Sequence, residues 1–114
     1  MNVAEDDRAM IIVMTTVASA EAGEKLASGI VEAKLAACVQ IMPPMTSIYR
    51  WHGRTVNETE HLLLIKTLPD RFDALSKFLR ENHSYDVPEI IAIPSCEVSD
   101  AYFAWVKASL NGVE

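Results

Sequence analysis

The run Ala9-Met10-Ile11-Ile12-Val13-Met14 contains no polar side chain. A half-exposed strand alternates apolar with polar residues, and a surface helix turns a polar face within one turn. A short unbroken run that ends at Thr15-Thr16 instead reads as a strand buried on both faces, in the middle of a sheet. The rest of the chain must therefore supply neighbours on two edges and cover on two faces. A helix follows directly. Ser19 is a good N-cap, Glu21 stands in the first turn where the helix dipole favours it, and Ala22, Leu26, Ile30, Ala33 and Ala37 recur at helical spacing. Val31 and Leu35 widen that stripe, and its alanines allow close approach to a sheet.

Val39-Gln40-Ile41 begins a second strand that breaks at Pro43-Pro44. Proline donates nothing to a ladder, so the break marks a bulge or a sheet edge. The strand resumes over Thr46–Trp51, turns at His52-Gly53-Arg54 and returns through Leu62–Lys66 as a long hairpin. Thr67-Leu68-Pro69-Asp70 reads as the opening of a second helix, with Thr67 as cap and Phe72, Leu75, Phe78 and Leu79 as its buried stripe. Ile90–Ile93 is a further buried strand. Ser99-Asp100 caps a last helix that carries Phe103, Val106 and Leu110 on one face and stops at Asn111-Gly112.

The order β-α-β-β-α-β plus a terminal helix predicts an α+β fold. It is the ferredoxin-like βαββαβ sandwich with an extra C-terminal helix, an antiparallel sheet with its helices mainly on one face. The last helix or another subunit must cover the other face. At 114 residues there is room for one core, expected over residues 9–114 behind a mobile polar tail at residues 1–8.

The net charge of −6 and the scattered Lys and Arg residues exclude a clustered positive face, so nucleic acid and anionic membranes are not expected as partners. Cations are weakly favoured over anions. No apolar stretch approaches the ~20 residues of a membrane span. Cys38 and Cys96 form no Cys-x-x-Cys pair, and the N-terminal residues do not read as a signal peptide. A reducing cytoplasm and two free thiols are therefore expected. No nucleophile elbow, phosphate-cradling glycine loop or zinc-protease motif is present, so the sequence points to binding rather than to an enzyme.

The polar cluster that most needs explaining is His83-Ser84-Tyr85-Asp86-Val87-Pro88-Glu89. Imidazole with carboxylate suits Cu(II), Zn(II) or Ni(II), copper ranking highest. Two readings stay open here: a metal site, or His83 ending the second helix while Asp86-Val87-Pro88 only turns the chain. His52 and His61 read as exposed polar residues. Trp51 and Tyr49 fit a core, a ligand stack or an interface, and the interface is preferred because the hairpin outreaches one small core. Lys66 either neutralises an anion in a cleft or reaches out to water.

Several spaced segments together resemble the CutA family. They are Lys34–Val39, Ser47-Ile48-Tyr49-Arg50-Trp51-His52-Gly53, Leu64–Thr67, the His83–Ile90 block and Trp105, in order from about Ile11 to Leu110. The resemblance implies a homotrimer of ferredoxin-like subunits with a role in tolerance to copper and other divalent cations. It also implies weak binding of copper(II) or another divalent transition metal, with His83 and Glu89 at the positions of the family's metal ligands. The family's cysteine ligand falls on Thr15, and a hydroxyl is a poor substitute for a soft thiolate. No organic cofactor is expected. Two other functions stay open. One is a trimeric signalling module similar to the nitrogen-regulatory PII proteins, binding a small anionic ligand between subunits near Lys66, Arg50 and Tyr85. The other is a trimeric scaffold for other proteins.

Overall fold

The Ala9–Met14 run does enter a central strand, though the strand starts two residues later than the run. The structure is a computed structural model that describes residues 9–112; the tail expected at residues 1–8 lies outside it. Its strands are β1 (Ile11–Val17), β2 (Cys38–Ile41), β3 (Met45–Trp51), β4 (Arg54–Thr67) and β5 (Ile91–Pro94). Its helices are α1 (Ala20–Glu32), α2 (Phe72–Asn82) and α3 (Asp100–Leu110). The sheet order is β2-β4-β1-β5, with β3 paired to β4, and every pairing is antiparallel. This is the ferredoxin-like arrangement with its added C-terminal helix.

β4 organises the sheet. Its outer part pairs with β3, from Trp51↔Arg54 to Met45↔Glu60. Its inner part pairs with β1, from Val17↔His61 to Ile11↔Thr67, and with β2 on the other side. Pro43 and Pro44 fall between β2 and β3, so the expected break is real. His52 and Gly53 form a two-residue turn with φ of 50° and 75°. Two positive φ values make the primed turn whose twist matches a hairpin.

Alternation on β1 decides the layers. Ile11, Val13 and Val17 point to the helix side and build the main core with Leu26, Ile30, Leu63, Ile65, Leu75 and Leu79. On the opposite side α3 packs Phe103, Val106 and Leu110 against Met10 and Ala37, at one end of the sheet. The Lys66 ammonium lies over the Tyr102 ring there, 5.7 Å from its centroid. The other end of that face has no helix over it among the described residues.

Three expectations change. α1 stops at Glu32 rather than running to Ala37, because Lys34 adopts φ 57° and the Lys34 and Leu35 amides bond back to the Val31 and Ile30 carbonyls. That is a Schellman stop with lysine in the place usually held by glycine. Thr67 ends β4 and caps no helix: its hydroxyl donates to the Leu35 carbonyl at 2.7 Å. The chain then makes a single 3-10 turn, Pro69–Arg71, before α2. Finally, β5 is an edge strand whose four residues are all exposed, not a buried one. Among the described residues it pairs only with β1.

Candidate functional site

The open end of the sheet holds a cavity of about 650 Å³. Met14 and Thr16 of β1 and Leu62 of β4 form its floor; these are the residues that alternate with the core set. The β3–β4 hairpin supplies one wall with Ser47, Tyr49, Trp51, Glu58 and Glu60. The segment after α2 supplies the other, with Tyr85, Asp86 and Glu89. Among the described residues, four carboxylates therefore face this space and no lysine, arginine or histidine lines it.

Glu60 is the buried one among them, at 7% exposure. The Tyr85 hydroxyl donates to it at 2.8 Å. Burial alone would raise the Glu60 pKa, yet the hydroxyls of Ser47, Tyr85 and Thr16, with the His83 imidazole nearby, outweigh that and hold it below the usual value. The carboxylate therefore stays ionised. Tyr85 is pushed up, first by burial and then by Glu60, so it remains a donor. Tyr49 is raised too, chiefly by its hydrogen bond to Glu58.

His83 follows α2 as its C-cap, the second of its two open readings. Both ring nitrogens are engaged. Nε2 lies 2.7 Å from the Thr16 carbonyl and Nδ1 lies 3.1 Å from the Tyr85 amide. A carbonyl only accepts and an amide only donates, so Nε2 carries the proton and Nδ1 offers its lone pair. The ring thus ties the segment after α2 to the end of β1. His83 lines a second cavity, between α1 and α2, whereas Glu89 lines the large one. The two expected metal ligands open on different spaces. Among the described residues, no group of three or more His, Cys, Asp or Glu side chains is placed to hold a metal ion.

Thr15 is fully buried, and among the described residues its hydroxyl has no partner. It pairs with core residue Leu63, so it faces the helices, away from the cavity floor. Of the three residues expected around an anion, only Tyr85 reaches the cavity; Arg50 instead donates to the Gly53 carbonyl at 3.3 Å and Lys66 sits by Tyr102. His61 donates from Nδ1 to the Met42 carbonyl at 2.9 Å, and His52 occupies the hairpin turn. Cys38 and Cys96 are both free thiols.

Glu58, Glu60, Ser47 and Thr16 did not stand out in the sequence. A signal was present, however. Counting outward from a two-residue turn at His52-Gly53 pairs Ser47 with Glu58 and Met45 with Glu60. Period two along β4 then puts both glutamates on the face of Leu62.

Comparison with known proteins gives a consistent result. The family model for the CutA1 divalent ion tolerance protein matches residues 11–109. The chain is 48% identical over 99 residues to the chloroplastic protein CutA of Arabidopsis thaliana, covering 87% of this chain but only 54% of that protein. It is 44% identical over 96 residues to the divalent-cation tolerance protein CutA of Thermus thermophilus, covering 84% of this chain and 93% of that one. Among solved structures, CutA1 from Oryza sativa superposes with a TM-score of 0.86 at 44% identity, covering 89% of this chain and 93% of that one. CutA from Synechococcus elongatus gives 0.87 at 35%, covering 96% and 99%.

Proposed function

The chain belongs to the CutA1 divalent ion tolerance family, and from that premise we propose that it works as a cytoplasmic homotrimer that binds copper(II), or a similar divalent transition-metal ion, weakly. The observation that carries the trimer is the combination of unpaired strand edges and exposed apolar residues. Among the described residues no strand pairs the β4 edge opposite β3, and β5 has one open edge. Ile48, Trp51, Ile91 and Ile93 are 68%, 47%, 48% and 46% exposed beside those edges. Open edges bearing apolar side chains invite strand addition by another copy. Two free thiols suit a reducing compartment.

For the metal, His83 and Glu89 are the protein ligands we propose. One chain does not close a coordination shell with them, so Asp86, water or a neighbouring subunit completes it. His83 must also release the Tyr85 amide from Nδ1 before it can coordinate. Both features make the binding weak. An anionic ligand is not favoured by the large cavity, whose ionisable lining is carboxylate apart from the tyrosines.

Light scattering coupled to size exclusion tests the assembly. A mass near three times 12.6 kDa is expected, and a mass near 12.6 kDa overturns the trimer. Calorimetry with Cu(II) on wild type and His83→Ala tests the metal. Loss of the weak binding in the variant is expected; equal affinity removes His83, and binding in neither protein removes the copper reading.

A further inference from the structure

We propose that His83, Tyr85 and Glu60 form a latch on the β3–β4 hairpin, and that taking up a metal ion at His83 opens it. This rests on His83 being a metal ligand and states what that ligand gives up. Residues 83–89 lie in no helix or strand. Two hydrogen bonds pin them to the sheet. His83 Nε2 donates to the Thr16 carbonyl in β1 at 2.7 Å, and the Tyr85 hydroxyl donates to Glu60 in β4 at 2.8 Å. Between the two pins the Tyr85 amide donates to His83 Nδ1 at 3.1 Å, and the two rings sit 4.7 Å apart. The pins are thereby joined into one chain of contacts, Thr16–His83–Tyr85–Glu60.

The position of Glu60 gives this chain its leverage. Glu60 pairs with Met45 of β3, and the next residue, His61, pairs with Val17 of β1. β4 changes partners there, so Tyr85 grips the root of the hairpin. Imidazole Nδ1 has a single lone pair, in the ring plane. It accepts the Tyr85 amide or binds a metal ion, and cannot do both. The Nε2 proton stays on the Thr16 carbonyl, a contact of the kind that orients a metal-binding histidine and raises its basicity. Coordination therefore keeps the first pin, frees the Tyr85 amide, and lets the segment carrying the second pin move away from Glu60. Such coupling is reciprocal. Whatever weakens the hold of Tyr85 on Glu60 makes Nδ1 easier to free, and so tightens metal binding.

Calorimetry with Cu(II) and deuterium exchange on the same proteins test this. Tyr85→Phe keeps His83, Asp86 and Glu89 and should bind Cu(II) about five- to tenfold more tightly than wild type, the scale of one hydrogen bond to a charged group. A tyrosine that only supports the fold would leave the affinity unchanged or lower it. Saturating Cu(II) should speed exchange in wild type at the Tyr85 amide and at residues 58–60. Without metal, His83→Ala should do the same. His83→Asn places a side-chain oxygen where Nδ1 stood and should keep the Tyr85 amide protected. Unchanged or weaker Cu(II) binding in Tyr85→Phe, copper binding that leaves exchange unmoved, or full protection in metal-free His83→Ala would each overturn the latch and leave the copper reading standing. The first of these decides the matter if His83→Ala does not fold. Cu(II) binding in neither wild type nor Tyr85→Phe would overturn the copper reading, and the latch's trigger with it.

Discussion

Glu60 and Tyr85 meet at 2.8 Å although they lie 25 positions apart, one inside β4 and the other in the segment after α2. The contact joins the outer sheet to a stretch with no regular structure of its own. A hydrogen bond to an ionised group is worth more than a neutral one, and part of this one is open to water. Tyr85→Phe should therefore destabilise the fold by about 1–2 kcal/mol in urea unfolding. No shift in the midpoint would mean that Ser47 and Thr16 satisfy Glu60 unaided.

The same carboxylate sets an acid limit. Glu60 titrates below its ordinary 4.5 when folded and returns to it on unfolding, so unfolding takes up a proton in that range. The stability it contributes is complete above the ordinary value and is lost as pH falls through the lower folded one. Melting temperature measured from pH 6 to pH 3 should fall more steeply in wild type than in Glu60→Gln. Parallel curves would assign the acid sensitivity to other groups.

Thr15 is fully buried, and among the described residues its hydroxyl has no hydrogen-bond partner. Burying such a group costs about 1–3 kcal/mol, whereas valine has almost the same shape. Thr15→Val should raise stability by about 1 kcal/mol. A loss of stability would mean that the hydroxyl is satisfied in solution, by water or by another group.

Lys34 holds a left-handed conformation after α1 at a cost that glycine avoids. Lys34→Gly should stabilise by about 0.5–1 kcal/mol, since strain relief of about 1–2 kcal/mol exceeds the added chain entropy. The Lys34 carbonyl that accepts from Arg71 at 3.3 Å is backbone and survives the change. A destabilised variant would show that the lysine side chain contributes more than its backbone loses.

The fold was legible because its signals are local and repeated. The apolar runs in β1 and β4, the cap at Ser19 and the stripe Leu75–Leu79 each act within a few residues. Thr67 misled for a physical reason: a threonine two residues before proline reads as a helix cap, but its hydroxyl found a carbonyl 32 positions away. β5 misled because Ile91 and Ile93 look like core residues, and only the sheet order reveals that they sit at an edge. The candidate site was half legible. His83, Tyr85, Asp86 and Glu89 stood out as a cluster in sequence, whereas Glu58 and Glu60 join them only through hairpin register. His83 could be noticed but not assigned, because its role depends on which groups its two ring nitrogens face.

The division of β4 between two sets of neighbours also has a timescale. Amides in its inner part are locked between β1 and β2 and exchange with solvent only when the whole sheet opens. Among the described residues, 54–60 have a paired strand, β3, on one side alone, so a lone chain can release the hairpin as a separate unit at lower free energy. Deuterium uptake should therefore advance from Trp51 and Arg54 inward and halt near His61. Once copies assemble, that front should retreat toward the turn, making the arm a built-in clock for how long each subunit stays bound.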